Sequence, residues 1–457
     1  MWEILSAYWP HILGFVSLAL TVVAASHAAM TKDEVRAAIG WVGVIVLSPI
    51  IGPLVYAVGG INRIRRASIV SQRRHSFGVG SLAQNFEVSD AEVAGDVGRR
   101  FAALKTLGDK ATRRHLKTGN AITVLRTGDE AYAAMIAAIA AAERSVILET
   151  YIFDRDPLGL RVADALIAAH ERGVAVRVLI DAVGARYSVP SIVGYLQKGG
   201  VPVDVFNGNI IIGLRLPYAN LRTHRKLLIV DGRIAFAGGM NIRQGFTTEF
   251  AGEAAAHDTH FRVEGPVVED LFGVAAEDWR FASGEELAGD VWAITPQTAT
   301  QGPTVLMRAV ASGPDASLET NHKLLIGAFS VARESIRIMS PYFLPDRELI
   351  SALVTAARRG VAIDIVVPDV NNLVLVDRAM RAQFDQVLKD GCRIWRATGS
   401  FDHSKLLAID GTWAYVGSSN LDARSLRLNF EIDLEVLDEG FADRKSTRLN
   451  SSHGKLS

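Results

Sequence analysis

Two histidine–lysine pairs are the residues of this sequence whose types and spacing best suit chemistry. His224 and Lys226 open a stretch that reads H-x-K, four residues, D, six residues, G-[GS]-x-N, and His403 and Lys405 open a second copy. Residues two apart on a β-strand share a face, so each copy places an imidazole beside an ammonium group. Two such copies in one chain are far less probable by chance than one, and they indicate a duplicated catalytic site.

A duplicated set of this kind suits phosphodiester chemistry without a metal ion. One imidazole attacks phosphorus as the nucleophile, and the facing imidazole protonates the leaving alkoxide. The attacking and leaving groups lie in line on opposite sides of phosphorus, so both copies are needed. The lysines, with Asn241 and Asn420, donate to the phosphoryl oxygens on which charge develops. Gly239 and Ser418 stand where the backbone is expected to approach a phosphate closely.

The motif aspartates, Asp231 and Asp410, complete the catalytic motif by position, yet their place in the pattern favours a structural role. If the strand continues, they fall on the face opposite the histidine and lysine. Each is followed by glycine, and Asp-Gly between two apolar runs is typical of a tight hairpin. We therefore favour turn formation over direct proton transfer for both residues.

A nucleophilic histidine also needs an acceptor for its second ring nitrogen. Glu431, eleven residues after the last asparagine of the second copy, is the candidate in that half. In the first half Glu249, Asp258 and Glu264 are available, and Asp258 is preferred because it stands at the head of a predicted strand. The sequence leaves open whether each acid serves the histidine of its own half or the facing one.

Neither a metal nor another cofactor is predicted. The two motif copies lack the further histidine or carboxylate at the spacing that a zinc site needs. The single cysteine, Cys392, excludes both a multi-cysteine zinc site and an intrachain disulfide framework. His257, His260 and His322 are interpreted as surface or strand residues. Arg424 and Arg427, beyond the second motif, either reach a headgroup or lie on a solvated helix face.

The elements around the motifs repeat as well. In each half an Ala- or Leu-rich helix precedes a buried apolar strand, and a second helix and strand follow. The match of 172–178 with 359–365 aligns the halves, and the stretch between about 279 and 304 separates them. This pattern predicts an α/β fold made of two duplicated α/β/α halves that share one active site, each with a mostly parallel sheet.

Two long uncharged stretches, 4–31 and 37–58, precede these halves. About 20 apolar residues span a bilayer, so we predict a transmembrane hairpin, although a cleaved signal peptide is the alternative for the first stretch. Arginines concentrate at 63–74, which predicts a cytoplasmic catalytic region and offers a patch for anionic headgroups, unless it is only a stop-transfer flank. The net charge of zero gives no basic field for nucleic acid.

The predicted organisation has five parts. They are a hairpin at 1–62 with spans at about 8–30 and 37–58, a basic juxtamembrane linker at 63–119, a first half at 120–290, a second half at 304–440, and an irregular tail at 444–457. The tail has no core-forming pattern and is interpreted as foreign to the domain. The insert 207–221 is either a lipid-facing flap or an ordinary packed loop, and the sequence does not indicate an oligomeric state.

The motifs resemble those of the phospholipase D superfamily, and more closely those of its bacterial cardiolipin synthases. The general resemblance rests on the two motif copies, and the closer one on the stretches 149–153, 312–315, 340–345 and 417–431 together with the membrane hairpin. The resemblance implies two phospholipase D-like halves in an inner-membrane protein, with His224 forming a phosphohistidine and His403 acting as acid and then base. The chain departs from the family in its tail and in carrying Gly239 where many members have serine.

Three functions follow from this reading. The first is a phosphatidyltransferase that joins two phosphatidylglycerol molecules into cardiolipin and releases glycerol. The second keeps the chemistry but uses water, which gives a phospholipase or, against the evidence of the hairpin and the neutral charge, a nuclease. The third is a non-catalytic membrane scaffold, and the intact histidines, lysines and asparagines of both copies argue against it.

Overall fold

The structure is a computed structural model, and it describes residues 2–32, 35–60, 82–207, 221–315 and 317–443. They fall into two units, an N-terminal helical unit and an α/β unit that contains both motif copies. The basic flank at 63–74, the body of the insert at 207–221 and the tail at 444–457 lie outside the described residues.

The N-terminal unit begins with a long apolar helix, Trp2–Thr31. Its segment Tyr8–Thr31 has 24 residues and a mean hydropathy of 1.9, which is enough to cross a bilayer. The predicted second span is not one helix, because it divides into Val35–Leu47, Ile51–Val55 and a π-helical turn, Tyr56–Gly60. Pro49 lies in the first break, where its missing N–H and fixed φ interrupt a helix. One helix long enough to anchor the chain is therefore present, and the two-span hairpin stays a prediction.

The α/β unit is built from strands that we number in chain order. Those of the first half are β1 Lys117–Leu125, β2 Ser145–Thr150, β3 Ala175–Asp181, β4 Val203–Phe206, β5 Arg222–Thr223, β6 Leu227–Val230, β7 Ile234–Gly238 and β8 His260–Glu264. Those of the second half are β9 Val305–Ser312, β10 Ser335–Met339, β11 Phe343–Leu344, β12 Ala362–Pro368, β13 Arg393–Ala397, β14 Leu406–Ile409, β15 Trp413–Gly417, β16 Leu421–Asp422 and β17 Asn429–Leu437.

One continuous sheet joins the two halves. Its order is β4-β3-β2-β6-β7-β8-β1-β9-β17-β15-β14-β10-β12-β13, with β5 paired to β17, while β11 and β16 form a separate pair. Counted outward from the central β1–β9 pair, each strand of the first half has its equivalent at the same place in the second. The predicted duplication of an α/β unit is thus confirmed in the strand order.

The sheet is mixed, so the prediction of a mostly parallel sheet is wrong. In the first half β2, β3 and β4 run parallel, but β2–β6, β6–β7, β7–β8 and β8–β1 are antiparallel pairs. The reason lies in the motif itself, because each copy folds as a two-stranded hairpin. Hairpins make antiparallel neighbours, whereas only the strands joined through crossover helices are parallel.

Helices cover the faces of this sheet. They are Asp90–Asp96, Arg99–Thr112, Gly128–Ala140, Pro157–Glu171, Ile192–Lys198, Thr248–Ala251, Val267–Ser283, Thr320–Val331, Arg347–Arg358, Val374–Gln383, Asp385–Leu388 and Ala423–Arg427. Equivalent helices share their start signals: the carboxylates of Asp156 and Asp346 each accept from the backbone N–H three residues later. Each half has its own core, centred on residues such as Leu148 and Phe236 or Ile365 and Trp413.

Residues 82–116, which we expected to be part of a linker, belong instead to the second half. Phe101 and Leu104, on the helix Arg99–Thr112, lie in the core of that half. Asp109 on the same helix accepts from the buried guanidinium of Arg308 at 2.6 Å. Gly108 makes room for it, since a Cβ there would lie 2.4 Å from Arg308 Nη2. This helix therefore packs the back of the sheet that carries the second motif.

Candidate active site

The two motif histidines enter the site on segments that cross between the halves. The backbone N–H of His224 donates to Phe430 O at 2.8 Å, next to the parallel pairing of β5 with β17. The N–H of His403 donates to His257 O at 2.7 Å in the equivalent place. Each histidine is thus fixed by main-chain contacts to the opposite half.

The side chains follow the same crossed arrangement. His224 Nδ1 lies 2.9 Å from Glu431 Oε2, and His403 Nδ1 lies 2.9 Å from Asp258 Oδ2. Each acid therefore contacts the histidine of the facing half, which was the alternative that the sequence left open. Each carboxylate accepts a hydrogen bond from Nδ1–H, so each imidazole presents its unprotonated Nε2 for chemistry.

Both histidines line one cavity of about 1150 Å³. Asn241 and Asn420 line it as well. Asn241 Oδ1 accepts from Ile152 N at 3.2 Å, which fixes the plane of the amide. Asn420 Oδ1 is buried and has no hydrogen-bond partner within the described parts of the chain, so this amide has capacity left for a ligand. Both histidines and both asparagines predicted from the sequence thus surround a single space.

The two lysines are buried beside their histidines. Lys226 Nζ donates to His224 O at 2.6 Å, and Lys405 Nζ donates to His403 O. Lys405 Nζ also lies 2.9 Å from His403 Nδ1, but a carboxylate and an ammonium cannot both use one ring nitrogen. We assign the Nδ1 proton to the contact with Asp258, because the carbonyl oxygen already accepts from Lys405.

Burial lowers the pKa of both lysines and both histidines of the two motifs. It lowers the pKa of Lys226 to about 7 and that of Lys405 to about 8, against the opposing effect of the nearby carboxylates of Glu431 and Asp258. Burial, with the neighbouring lysines, also holds the pKa of His224 well below its usual value and lowers the pKa of His403 to about 4. Both imidazoles are therefore neutral near pH 7, the form in which a histidine can act as nucleophile.

Gly239 and Ser418 lie against the acids rather than against the cavity. Ser418 Oγ donates to Glu431 Oε2 at 2.6 Å, and its backbone N–H is occupied by Ile432 O at 3.0 Å. A Cβ at position 239 would lie 2.7 Å from Asp258 Oδ2, which explains the glycine. The prediction that Ser418 approaches the phosphate is therefore corrected: its contacts place it as a support for Glu431.

Asp231 and Asp410 shape the far end of each motif hairpin. Asp231 accepts from the backbone N–H groups of Glu143, Arg144 and Ser145. Asp410 does the same for residues 333–335 and also pairs with Arg100. Both aspartates have positive φ, 53° and 50°, and so do the glycines that follow. These contacts match the predicted turn-forming role and hold neither aspartate near the histidines.

Sequence reasoning missed two tyrosines and one arginine. The rings of Tyr151 and Tyr342 stand edge-on to His224 and His403, at centroid distances of 5.2 and 6.1 Å. They lie in the stretches 149–153 and 340–345, and their recurrence after equivalent strands was a signal. Arg225, between the first histidine and lysine, is fully buried and pairs with Asp278, and its Nε donates to Glu431 O at 3.0 Å. Its position alone gave no signal of that role.

One group of residues has the spacing of a metal site, and it lies elsewhere. His322, Asp346 and Glu348 come together among the described residues. The Arg427 guanidinium lies 3.5 Å from Asp346 and 3.8 Å from Glu348, so a cation already faces these carboxylates. Asp346 also caps a helix, and the group does not fit a metal ion.

Comparison with known proteins gives the family. A family model described as the cardiolipin synthase, PLD-like domain matches residues 135–256 and 325–452, and a phospholipase D–nuclease N-terminal model matches 19–60. A cardiolipin synthase of Alkalihalophilus pseudofirmus is 32% identical over 86% of this chain and 78% of its own length. Cardiolipin synthase A of Pseudomonas aeruginosa is 32% identical over 96% and 87%.

A solved structure shares the fold. The phosphatidylserine synthase of Haemophilus influenzae superposes with a TM-score of 0.59 at 15% identity, and the match covers 78% of this chain and 91% of that one. Together with the two matched halves and the relatives at 32% identity, this places the protein: the chain belongs to the cardiolipin synthase family of phospholipase D-like proteins.

Proposed function

We propose that the protein is a cardiolipin synthase that transfers a phosphatidyl group from one phosphatidylglycerol to another, giving cardiolipin and glycerol. The observation that carries this proposal is the crossed arrangement of His224–Glu431 and His403–Asp258 around one cavity. Two imidazoles with free Nε2 atoms match the in-line attack and departure that phosphoryl transfer needs. Membership of a family of phosphatidyltransferases supports a lipid as the substrate.

In the first step His224 Nε2 attacks the phosphorus of the donor lipid. An N–P bond forms, the bond from phosphorus to the glycerol oxygen breaks, and His403 gives its Nε2 proton to the departing glycerol. Glu431 accepts a hydrogen bond from the Nδ1–H of His224 and stabilises the positive charge that develops on the ring. The pKa of His403 is low through burial and Lys405, and an anionic phosphodiester bound beside the ring raises it and favours the protonated acid.

In the second step the glycerol hydroxyl of another phosphatidylglycerol attacks the phosphohistidine. His403 takes the hydroxyl proton, an O–P bond forms, and the N–P bond to His224 breaks. The ammonium groups of Lys226 and Lys405, with the amides of Asn241 and Asn420, donate to the phosphoryl oxygens in both transition states. The residues are thus restored at the end of the cycle.

A membrane location is supported by the apolar helix Tyr8–Thr31. The finer topology, with two spans and a cytoplasmic active site, is part of the proposal and rests on the arginines at 63–74. A single accessible cysteine introduced after the spans, in a C392S background, tests it. A membrane-impermeant maleimide should label that cysteine only after spheroplasts are lysed, and labelling of intact spheroplasts would contradict the cytoplasmic assignment.

The function is tested by supplying phosphatidylglycerol in detergent micelles and identifying products by mass spectrometry. Cardiolipin and glycerol in equal amounts are expected. Phosphatidic acid as the main product would replace this proposal with a phospholipase. His224→Ala and His403→Ala should each abolish cardiolipin formation, while His115→Ala, at a half-exposed histidine outside the cavity, serves as the matched control.

A further inference from the structure

The two ends of the cavity differ around their equivalent histidines. Near His403 the neighbours are aromatic, with the rings of Phe246 and Phe401 at centroid distances of 6.4 and 5.8 Å. At the His224 end the cavity is lined instead by Arg222 and Arg424. One end is therefore apolar and the other is cationic.

This difference is not a product of the duplication. Arg222 stands two residues before His224, and Phe401 stands two residues before His403. Arg424 follows Asn420 by four residues, and the residue that follows Asn241 by four is Gly245. Both arginines thus occupy positions whose counterparts in the other half are uncharged. Arg243 also lines the cavity, but its guanidinium is paired with Asp154 at 3.0 Å.

Arg424 is available for an anion. Its side chain is exposed and lines the cavity, and within the described residues no carboxylate forms an ion pair with its guanidinium. The adjacent Asp422 caps the backbone N–H groups of Arg424 and Ser425 at 2.8 and 2.9 Å, and its carboxylate interacts with the Arg424 charge without forming an ion pair. Arg222 lies 3.8 Å from the buried Asp181 and adds a second positive charge on the same side.

The positive charges of both arginines shift the pKa values of groups inside the site. Each opposes the rise in the pKa of Tyr151, the ring that stands against His224, and Arg424 also contributes to the low pKa of His224. A guanidinium placed in this way binds phosphate through paired N–H donors. The lysines and asparagines already bind the phosphate under attack, so the guanidinium of Arg424 remains for a second phosphate.

We propose that Arg424, with Arg222 beside it, forms a second phosphate subsite that holds the phosphodiester of the acceptor lipid while its glycerol hydroxyl reacts. The inference rests on the proposed function and deepens it. The two phosphates of cardiolipin are separated only by a three-carbon glycerol bridge, so both must lie in this cavity when the second bond forms. Water and free glycerol carry no phosphate and gain nothing from the subsite.

The test compares two acceptors for one donor. Full-length protein in mixed micelles is given phosphatidylglycerol and deuterated glycerol, and mass spectrometry follows cardiolipin and deuterium-labelled phosphatidylglycerol together. In Arg424→Gln, cardiolipin formation should fall about tenfold, the loss of one charge-assisted contact of about 1.4 kcal/mol. Glycerol exchange should change by less than about twofold, because it needs only the catalytic phosphate site.

Two further variants keep the result interpretable. Arg424→Lys retains the charge and should recover part of the cardiolipin rate. Arg427→Gln, on the same short helix but paired with Asp346, should leave the ratio of the two products unchanged. An equal fall of both products in Arg424→Gln would overturn the subsite, because the arginine would then act on the donor or on the fold. No change in either product would overturn it as well.

The proposed function can fail separately. If the wild-type protein releases phosphatidic acid and no cardiolipin, the transferase assignment fails, and the subsite is then tested with sn-glycerol 3-phosphate, a soluble acceptor that carries a phosphate. The wild type should use this acceptor about tenfold more efficiently than glycerol, and Arg424→Gln should lose the preference. Equal use of both acceptors by the wild type would overturn the subsite alone.

Discussion

The two halves share a fold and a motif, yet they hold their acids differently. In the second half the Glu431 carboxylate accepts hydrogen bonds from Ser418 Oγ at 2.6 Å and from Asn429 Nδ2 at 3.2 Å, in addition to that from His224. In the first half the Asp258 carboxylate accepts hydrogen bonds from His403 and from the backbone N–H of Thr259, the latter at 2.7 Å. Gly239, where the second half has serine, leaves space for the shorter acid.

In the proposed mechanism this difference matches two unequal tasks of the duplicated scaffold. The longer glutamate carries more hydrogen bonds and orients His224, the proposed nucleophile, whose ring must stay aligned through bond formation and cleavage. The shorter aspartate orients His403, whose task is to pass a proton to and from an alcohol. The residue inside each motif follows the same trend: Arg225 ties the first copy to Glu431 O, whereas Ser404 makes one hydroxyl contact with Thr259.

The largest expected effect distinguishes the proposed nucleophile, His224, from the proposed acid, His403. With a phosphatidyl p-nitrophenol donor, whose leaving group needs no proton, His403→Ala should regain a burst of p-nitrophenolate. His224→Ala should stay slower than wild type by on the order of 10⁴-fold, since no phosphohistidine forms. Stopped-flow absorbance measures the burst. A burst in His224→Ala and none in His403→Ala would reverse the roles of the halves.

Substitution of the two histidine-orienting acids, Glu431 and Asp258, should give the next largest effect on kcat. Glu431→Gln places an amide N–H₂ among several donors, so the His224 tautomer is disturbed, and kcat should fall by about 10³- to 10⁴-fold. Asp258→Asn meets fewer donors, and we expect a fall of about 10²- to 10³-fold. Rapid-quench trapping of the phosphatidyl-enzyme should show slower formation in the glutamine variant and slower turnover in the asparagine variant. The opposite ranking would contradict unequal support.

The two motif lysines should differ in their effect on the pH dependence of kcat/KM. A lysine donates to a phosphoryl oxygen only when protonated, so kcat/KM should fall as pH rises through the lower lysine pKa, that of Lys226 at about 7. Above this pKa, on the alkaline limb of the pH profile, kcat/KM should fall about tenfold per pH unit. Lys226→Arg keeps its charge, and the limb should move to about 8, the pKa of Lys405. Lys405→Arg should leave the limb near 7, and an unmoved limb in Lys226→Arg would contradict the assignment.

The motif residues could be predicted from sequence because their chemistry is local. The histidine–lysine spacing, the asparagines and the Asp-Gly hairpins depend on a few neighbouring residues, and the structure has both hairpins where the pattern indicates them. The equivalence of the two halves followed from the repeat, since equivalent segments fold alike, but the strand order and the antiparallel pairs did not. Local patterns of this kind determine elements and faces, and in a duplicated chain they determine the elements twice.

What the sequence did not reveal depends on contacts across the whole sheet. The pairing of each acid with the facing histidine rests on β5–β17 and on the contact of His403 with His257, between residues more than 140 apart. The helix Arg99–Thr112 looked like a linker because few of its residues are apolar, and only its contacts with the second half bury Phe101. The break at Pro49 divided a segment whose composition alone suggested a span.

The smallest expected effect concerns stability and compares Asp410 with Asp231. Both accept three backbone N–H groups, but Asp410 also receives Arg100 from the helix Arg99–Thr112. Asp231→Ala removes the acceptor of three exposed or partly buried backbone N–H groups and should lower the free energy of unfolding by about 0.5–1.5 kcal/mol. Asp410→Ala should cost about 1–2 kcal/mol more, because it also strands a partly buried guanidinium.

Calorimetry in detergent measures this difference, with catalytic rates normalised to folded protein as the control. Neither aspartate contacts the histidines, so both variants should keep near-normal turnover while folded. A double-mutant cycle with Arg100→Met isolates the ion pair: the coupling to Asp410 should be favourable, and the coupling to Asp231 should be close to zero. Equal losses in the two alanine variants would show that the helix Arg99–Thr112 contributes nothing through Asp410.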